Sequence, residues 1–260
     1  MKNLRTYGKP PFNIVAIHGG PGAPGEMAPV ARHLSKECGV LEPIQTENSV
    51  DGQVQELKLV IENNAKHPVV LIGWSWGAWL SYILTAKYPK LVKKLILVSS
   101  GPFEARYAKR IMKTRMSRLS KEERDELDSL FTSLNNLKGK KQEKAFSKIG
   151  KLIDKADSYS SIPHKSEVTK TQPEIYEPVW DEASKLREEG KLLALGKQIR
   201  CPVVAIHGDY DPHPAEGIKK PLAETIKNFR LILIKRCGHH PWYEKYAKDN
   251  FYEFLTKEIS

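Results

Sequence analysis

A serine flanked by glycines stands where a buried strand is predicted to change into a helix. The segment 73–77, Gly-Trp-Ser-Trp-Gly, follows the apolar run 69–72 and precedes an apolar stretch that ends at Pro89. Glycines on both sides of Ser75 permit a tight turn that lifts the hydroxyl clear of the sheet. The helix that starts near Trp76 points its first N–H groups at the same position. The pattern predicts that Ser75 is a nucleophile.

Two loops late in the chain carry the acid and the base that such a serine needs. A base must take the hydroxyl proton, and a carboxylate must orient the base. The first loop contains Asp209 and Asp211, and the second contains His239 and His240. We predict Asp211 as the acid, because its spacing carries the carboxylate over the sheet edge, with Asp209 as an alternative suited to turn capping. We predict His239 as the base over His240, because it directly follows Gly238.

A glycine-rich loop, His-Gly-Gly-Pro-Gly at 18–22, follows the first predicted strand. Acyl transfer develops negative charge on an oxygen atom, and preorganised backbone N–H groups stabilise that charge. We predict that the N–H groups of Gly20 and Trp76 form this oxyanion hole. We expect His18 to hold the loop. Trp74 and Trp79 are candidates for an aromatic substrate pocket, and core packing explains them equally well.

Strands and helices alternate on both sides of a long polar segment. The strands are predicted at 12–17, 40–44, 69–72, 94–98, 203–206 and 230–234, and helices at 27–37, 50–63, 78–88 and 249–257. This alternation predicts an α/β fold with a mostly parallel sheet and right-handed crossovers. Ligands bind such sheets at the carboxyl ends of the strands, where the serine and both late loops are expected.

The middle of the chain has a different pattern. Residues 102–197 are polar, rich in Lys and Glu, helical in pattern and without a convincing strand. We predict a core domain formed by 1–101 and 198–260, with 102–197 inserted as a helical cap over the site. The alternative is a separate helical domain with no bearing on the site.

Composition limits the classes of partner. The 260 residues carry a formal net charge of +11, densest at 109–118 and 138–151. Without a nucleic-acid motif, these stretches predict solvated helix faces and no nucleic-acid partner. Three cysteines without a CxxC pair predict neither a disulfide framework nor a metal site. Without a long apolar run or a secretory signal, we expect a cytoplasmic protein with no membrane partner; the oligomeric state stays open.

Together the motifs resemble the α/β-hydrolase superfamily. The resemblance rests on the serine turn, the 18–22 loop, the segment 208–212 and the segment 238–244, and it spans roughly 12–101 and 200–257. The 18–22 loop in particular resembles the proline iminopeptidase branch. The resemblance implies an eight-stranded sheet, a helical cap and no cofactor. Only about eleven residues precede the first strong strand, so we expect the leading hairpin to be absent and the sheet to have about six strands.

The favoured function is therefore a serine hydrolase that cleaves an ester, thioester or amide of a small substrate through an acyl-enzyme on Ser75. Two alternatives use the same fold. One is a carbon–carbon bond hydrolase or hydroxynitrile lyase, and the other is a non-catalytic ligand-binding protein. For an iminopeptidase, Glu104, Glu174 and Glu177 are candidates to bind a substrate amine.

Overall fold

The structure is a computed structural model that describes residues 3–134, 136–169 and 171–259. Its strands form one seven-stranded sheet in the order β1-β3-β2-β4-β5-β6-β7. They are β1 (Leu4–Tyr7), β2 (Phe12–Ile17), β3 (Gly39–Pro43), β4 (Val69–Trp74), β5 (Val92–Val98), β6 (Val203–Gly208) and β7 (Phe229–Ile234). All neighbours pair in parallel except β1, which is antiparallel to β3. The predicted mostly parallel sheet is confirmed.

The strand count differs from the prediction of about six. All six predicted strands are present, and β1 is the seventh. This strand is only four residues long, lies at the sheet edge and is partly exposed, so it lacks the apolar run that identifies buried strands. It pairs with β3 and not with β2, so these two strands form no leading hairpin.

Helices cover both faces of the sheet. They are α1 (Ala28–Leu34), α2 (Val50–Asn64), α3 (Trp76–Lys87), α4 (Ala105–Ala108), α5 (Ile111–Arg118), α6 (Lys121–Leu134), α7 (Lys140–Asp157), α8 (Pro173–Glu188), α9 (Lys191–Ala194), α10 (Glu216–Thr225) and α11 (Lys248–Ile259). Side chains alternate across each strand, so Leu71 packs in the core that contains α2, α3 and α10. Its neighbours Val70 and Ile72 pack in the opposite core, with α1 and α11.

Helices α4 to α9 lie between β5 and β6, within residues 102–197, a segment we name the helical insertion. No strand occurs in its described residues, although Ser161 forms one isolated bridge with Glu244. Helices α5 to α7 share a small apolar cluster of their own, whereas α8 packs on the main core. The insertion is thus anchored to the core at one end and has a separate small core at the other.

Within the described ranges, no helix combines the length and the apolar character that crossing a bilayer requires. Cys38, Cys201 and Cys237 are all free thiols.

Candidate active site

The turn between β4 and α3 holds Ser75 in a backbone conformation that few residues other than glycine adopt. Its φ is 54° and its ψ is −116°. The turn is fixed by a hydrogen bond from the Ser75 N–H to the Val98 carbonyl, at 3.0 Å. A Cβ atom at Gly73 would collide with the Gly77 backbone, and one at Gly77 would collide with the carbonyls of β2. Both glycines are therefore steric requirements of this turn.

The structure brings three of the predicted residues into one hydrogen-bonded chain. The Nε2 atom of His239 lies 3.1 Å from Oγ of Ser75. On the other side of the imidazole, Nδ1 lies 2.8 Å from Oδ2 of Asp211. Ser75 follows β4, Asp211 follows β6 and His239 follows β7, so the carboxyl ends of three parallel strands of one sheet position all three groups.

Burial and neighbouring charges determine the protonation states of Asp211 and His239. Burial by itself would raise the pKa of the Asp211 carboxyl, but the imidazoles of His239, His213 and His207 outweigh it and hold that pKa well below its ordinary value. Burial lowers the pKa of His239, although Asp211 acts in the opposite direction. At neutral pH the imidazole is therefore uncharged. Its Nδ1–H donates to Asp211, which leaves Nε2 free to accept the Ser75 proton.

His213 belongs to this cluster although the sequence analysis assigned it no role. Its backbone N–H and its Nδ1 atom lie 2.9 and 2.7 Å from Oδ1 of Asp211. His207 supports the same loop by donating from Nε2 to the carbonyl of His213, at 2.7 Å. The spacing Asp-Pro-His after a buried strand was the available signal. It was too short and too common to be distinctive.

The two competing candidates lie outside the chain of hydrogen bonds. Asp209 accepts a 3.4 Å hydrogen bond from the Cys237 N–H and lies 3.7 Å from Lys235, which is a loop-stabilising position. His240 turns toward the helical insertion, where its Nδ1 atom lies 3.0 Å from a carboxylate oxygen of Asp154.

The glycine-rich loop lies beside Ser75. Gly20, with a φ of 36°, lines the cavity next to the serine, and its carbonyl accepts from the Ala23 N–H at 2.9 Å. His18 is buried and ties the loop down, because Nδ1 donates to the Gly19 carbonyl at 2.7 Å. Burial lowers the pKa of His18 to about 4, so this residue is neutral.

Trp76 is the first residue of α3, a position whose N–H has no partner within the helix. Gly20, Ser75 and Trp76 all line the same cavity. The arrangement can present backbone donors to a carbonyl oxygen bound at the serine.

Trp74 and Trp79 both line the cavity and are both buried in the core. The indole N–H of Trp74 donates to the His239 carbonyl at 2.8 Å, which helps to fix the histidine loop. The indole N–H of Trp79 donates to the Gly101 carbonyl at 3.1 Å. Both tryptophans therefore pack in the core and also line the cavity, and their contact with a substrate stays a prediction.

A cavity of about 690 Å³ lies between Ser75 and the helical insertion. Its acidic lining residues are Glu26, Asp154, Asp157 and Glu167. The candidates Glu104, Glu174 and Glu177 are not among the residues of this wall. Burial raises the pKa of Glu26 to about 7.

The helical insertion also holds the histidine loop in place. The N–H of His239 donates to the carbonyl of Asp157 at 2.9 Å. The Asp157 carboxylate is buried and pairs with Arg115 through two hydrogen bonds of 2.8 and 2.6 Å.

Glu244 provides a second tie between the insertion and this loop. Its buried carboxylate accepts three backbone N–H groups, from Gly238 at 2.9 Å and from Tyr159 and Ser160 at 2.7 Å each. Glu244 is the last residue of the motif segment 238–244, and its type and spacing alone predicted no role for it.

Among the described residues, the side chains of Asp211, His213 and His239 could hold a metal ion, since their ligand atoms lie within 4.8 Å of one another. The distances of 2.7 and 2.8 Å between their nitrogen and oxygen atoms are those of hydrogen bonds.

Comparison with known proteins agrees with this geometry. The model of the α/β-hydrolase fold family matches residues 42–246. No curated protein sequence matches the chain significantly.

Many solved structures are similar in fold. VinJ superposes with a TM-score of 0.67 at 16% identity, over 98% of this chain and 93% of its own. A serine hydrolase, CCSP0084, from the polyaromatic hydrocarbon-degrading bacterium Cycloclasticus zankles has a TM-score of 0.61 at 18% identity, over 98% and 92%. The thioesterase domain from the curacin biosynthetic pathway has a TM-score of 0.59 at 20% identity, over 97% and 94%. With a family model that matches most of its length, this chain belongs to the α/β-hydrolase fold family.

Proposed function

We propose that the protein is a serine hydrolase that cleaves an ester, thioester or amide of a small molecule. The observation that carries the proposal is the hydrogen-bonded chain from Asp211 through His239 to Ser75, which opens on a cavity beneath the helical insertion. A positioned nucleophile, base and carboxylate are the groups that acyl transfer through a covalent intermediate requires.

In the proposed mechanism, Nε2 of His239 takes the Ser75 proton as Oγ attacks the substrate carbonyl. The N–H groups of Gly20 and Trp76 stabilise the oxyanion. His239 then gives the proton to the leaving group, which departs as an alcohol, thiol or amine. Water, deprotonated by the same imidazole, releases the acid and restores Ser75. Asp211 stabilises the imidazolium that forms in both halves of the reaction.

Esters and thioesters suit the cavity best. Aromatic and aliphatic side chains from α3, α5, α7 and α8 line part of its wall, so an apolar acyl group can be buried against them. Two neighbours in fold bear the names serine hydrolase and thioesterase, which supports the class by analogy only. We further propose that the insertion acts as a cap that excludes water, and that the protein is cytoplasmic, since its three cysteines are free.

The first test is labelling with a fluorophosphonate probe. We expect covalent labelling of the purified protein and its loss in Ser75→Ala. The matched control, Ser117→Ala, changes an exposed serine of α5 outside the cavity wall and should label normally. Labelling that persists in Ser75→Ala would contradict the assignment of the nucleophile.

Substrate class is then tested with 4-nitrophenyl esters of graded chain length, an acyl thioester and proline 4-nitroanilide. We expect turnover of esters and thioesters. Exclusive turnover of the prolyl substrate would instead identify an iminopeptidase. Tight binding of acyl ligands without turnover of any of them would favour the ligand-binding alternative.

A further inference from the structure

Arg187 lies in the cavity wall without an acidic partner. It is in the last turn of α8, and its Nε atom is buried with no hydrogen-bond acceptor. Within the described part of the chain, no carboxylate lies at ion-pair distance from its guanidinium. Burial lowers the pKa of Arg187 from its ordinary value, but a guanidinium stays protonated in proteins. The wall thus contains a guanidinium whose Nε donor is buried without an acceptor from the described protein.

The other two lysine and arginine side chains of the described wall differ from Arg187 in how their charge is satisfied. Arg115 already forms two hydrogen bonds with the Asp157 carboxylate. Lys151 is exposed, so water satisfies its ammonium. A half-buried and unpaired guanidinium is costly, and the cost is recovered when a ligand brings the missing anion.

Aromatic rings hold the Arg187 guanidinium at a defined place relative to Ser75. Its Cζ atom lies 5.4 Å from the centre of the Trp79 ring. Trp79 in turn stacks on Trp180, at 5.8 Å and an interplanar angle of 2°. Trp79 is one turn after Ser75 in α3, about 6 Å along the helix axis. The guanidinium therefore faces an indole ring that lies one helical turn from Ser75, and all three residues line the same cavity.

We propose that Arg187 binds a carboxylate at the far end of the substrate, so that the preferred substrates are esters or thioesters of an acid that carries a second carboxylate. This inference rests on the proposed hydrolase function of Ser75. A carboxylate fits better than a phosphate for two reasons. It matches the planar fork of a guanidinium, and its single charge balances that of Arg187.

The kinetic test compares 4-nitrophenyl monoesters of adipate, suberate and sebacate with neutral esters of the same acyl length. We expect kcat/KM to favour the carboxylated series by about tenfold or more, chiefly through KM. Arg187→Met should remove this preference by lowering kcat/KM for the carboxylated series about tenfold more than for the neutral series, and Arg187→Lys should retain part of the preference. Lys185→Met, an exposed cation of the same helix outside the wall, should leave both series unchanged.

A binding test separates this inference from the hydrolase proposal. Suberate is titrated into the Ser75→Ala protein and its binding heat is measured by isothermal titration calorimetry, so no turnover is needed. We expect saturable binding that weakens about tenfold in Arg187→Met and not in Lys185→Met. Binding that depends on Arg187, in a protein that hydrolyses no ester, would overturn only the proposed activity. Equal affinity of the Arg187→Met and parent proteins for suberate would overturn the Arg187 site.

Discussion

The roles proposed for Ser75, His239 and Asp211 place different demands on their surroundings. The serine needs a strained turn, which the two flanking glycines permit. The imidazole needs to be neutral with its proton on Nδ1, and its burial together with the hydrogen bond to Asp211 provides this state. The carboxylate needs to stay ionised although it is buried, and the surrounding imidazoles ensure that it does.

The two aspartates of the β6 loop should differ strongly in their importance. In Asp211→Asn we expect kcat to fall by about 10,000-fold, because an amide cannot hold the imidazole in the required tautomer. Asp209→Asn is the matched control, and its kcat should stay within about threefold, because this side chain only supports a loop. Ester hydrolysis by both variants provides the measurement. A larger loss in Asp209→Asn would transfer the role of the acid to that residue.

The pH dependence of kcat/KM should reflect the lowered pKa of His239. The base is active only when neutral, so activity rises with pH through this pKa and then stays constant. Since burial lowers the pKa below the ordinary 6.5, the midpoint of the acid limb should lie below pH 6.5. The imidazole of His213 contributes to the lowering, whereas Asp211 and Asp157 oppose it. His213→Gln should therefore move the midpoint upward, and a midpoint above 7 in the unmodified protein would contradict this account.

At the scale of elements, the site depends on ties between the helical insertion and the β7 loop. The carbonyl of Asp157, the last residue of α7, holds the N–H of His239. Glu244 accepts N–H groups from both the loop and the chain that follows α7. The position of the base is thus set partly by a segment that lies about 80 residues away in the sequence.

Glu244→Gln should weaken this tie without removing any group that contacts substrate. A neutral amide accepts fewer and weaker hydrogen bonds than a carboxylate. When the donors are buried, this loss lowers the free energy of unfolding by about 2 kcal/mol. We expect a lower melting temperature and a kcat reduced by about tenfold with KM little changed, because the variant disturbs the orientation of His239 and not the cavity wall.

The control for this prediction is Glu253→Gln on α11, where the carboxylate is exposed and pairs with Lys257. Its stability and its kcat should match those of the parent protein. A Glu244→Gln protein that melts earlier but retains the parent kcat would show that Glu244 stabilises the fold without positioning the base.

At the scale of the whole molecule, three cores of unequal size support the site. The sheet and its covering helices share the large cores, whereas α5 to α7 bury only the small cluster of Leu119, Leu127, Ile149 and Ala156. Ion pairs neutralise part of the positive charge of the insertion. Arg115 pairs with Asp157, Lys148 with Glu126, and Lys155 with Glu123. The absence of a nucleic-acid partner stays a prediction.

Hydrogen exchange should show the difference in size between the sheet cores and the core of the insertion. We expect the backbone amides of α6 to exchange at least about tenfold faster than those of β4, because a small core resists local opening less than a large one. Mass spectrometry of peptides from both elements provides the comparison, and β5 is the internal control for a buried strand. Equal protection of α6 and β4 would contradict the description of the insertion as a weakly supported segment.

Local patterns in the sequence determined a large part of this picture. Buried strands appear as apolar runs, and a Gly-x-Ser-x-Gly segment between a strand and a helix leaves few conformations open, so the parallel sheet and the place of Ser75 could be predicted. The order of the late loops likewise predicted that Asp211 and His239 would reach the same sheet edge. The short edge strand β1 was missed because its four partly exposed residues carry no such pattern.

Only the tertiary structure decided what surrounds that edge. The hydrogen bonds of His213 to Asp211, of Glu244 to the insertion and of Asp157 to His239 join segments that are remote in sequence or unremarkable in type. The unpaired Arg187 is one of many cations in a polar stretch until its burial beside Trp79 is known. The physical reason is the same in each case. Local sequence sets backbone conformation, whereas burial and the choice of partner depend on which distant segments pack together.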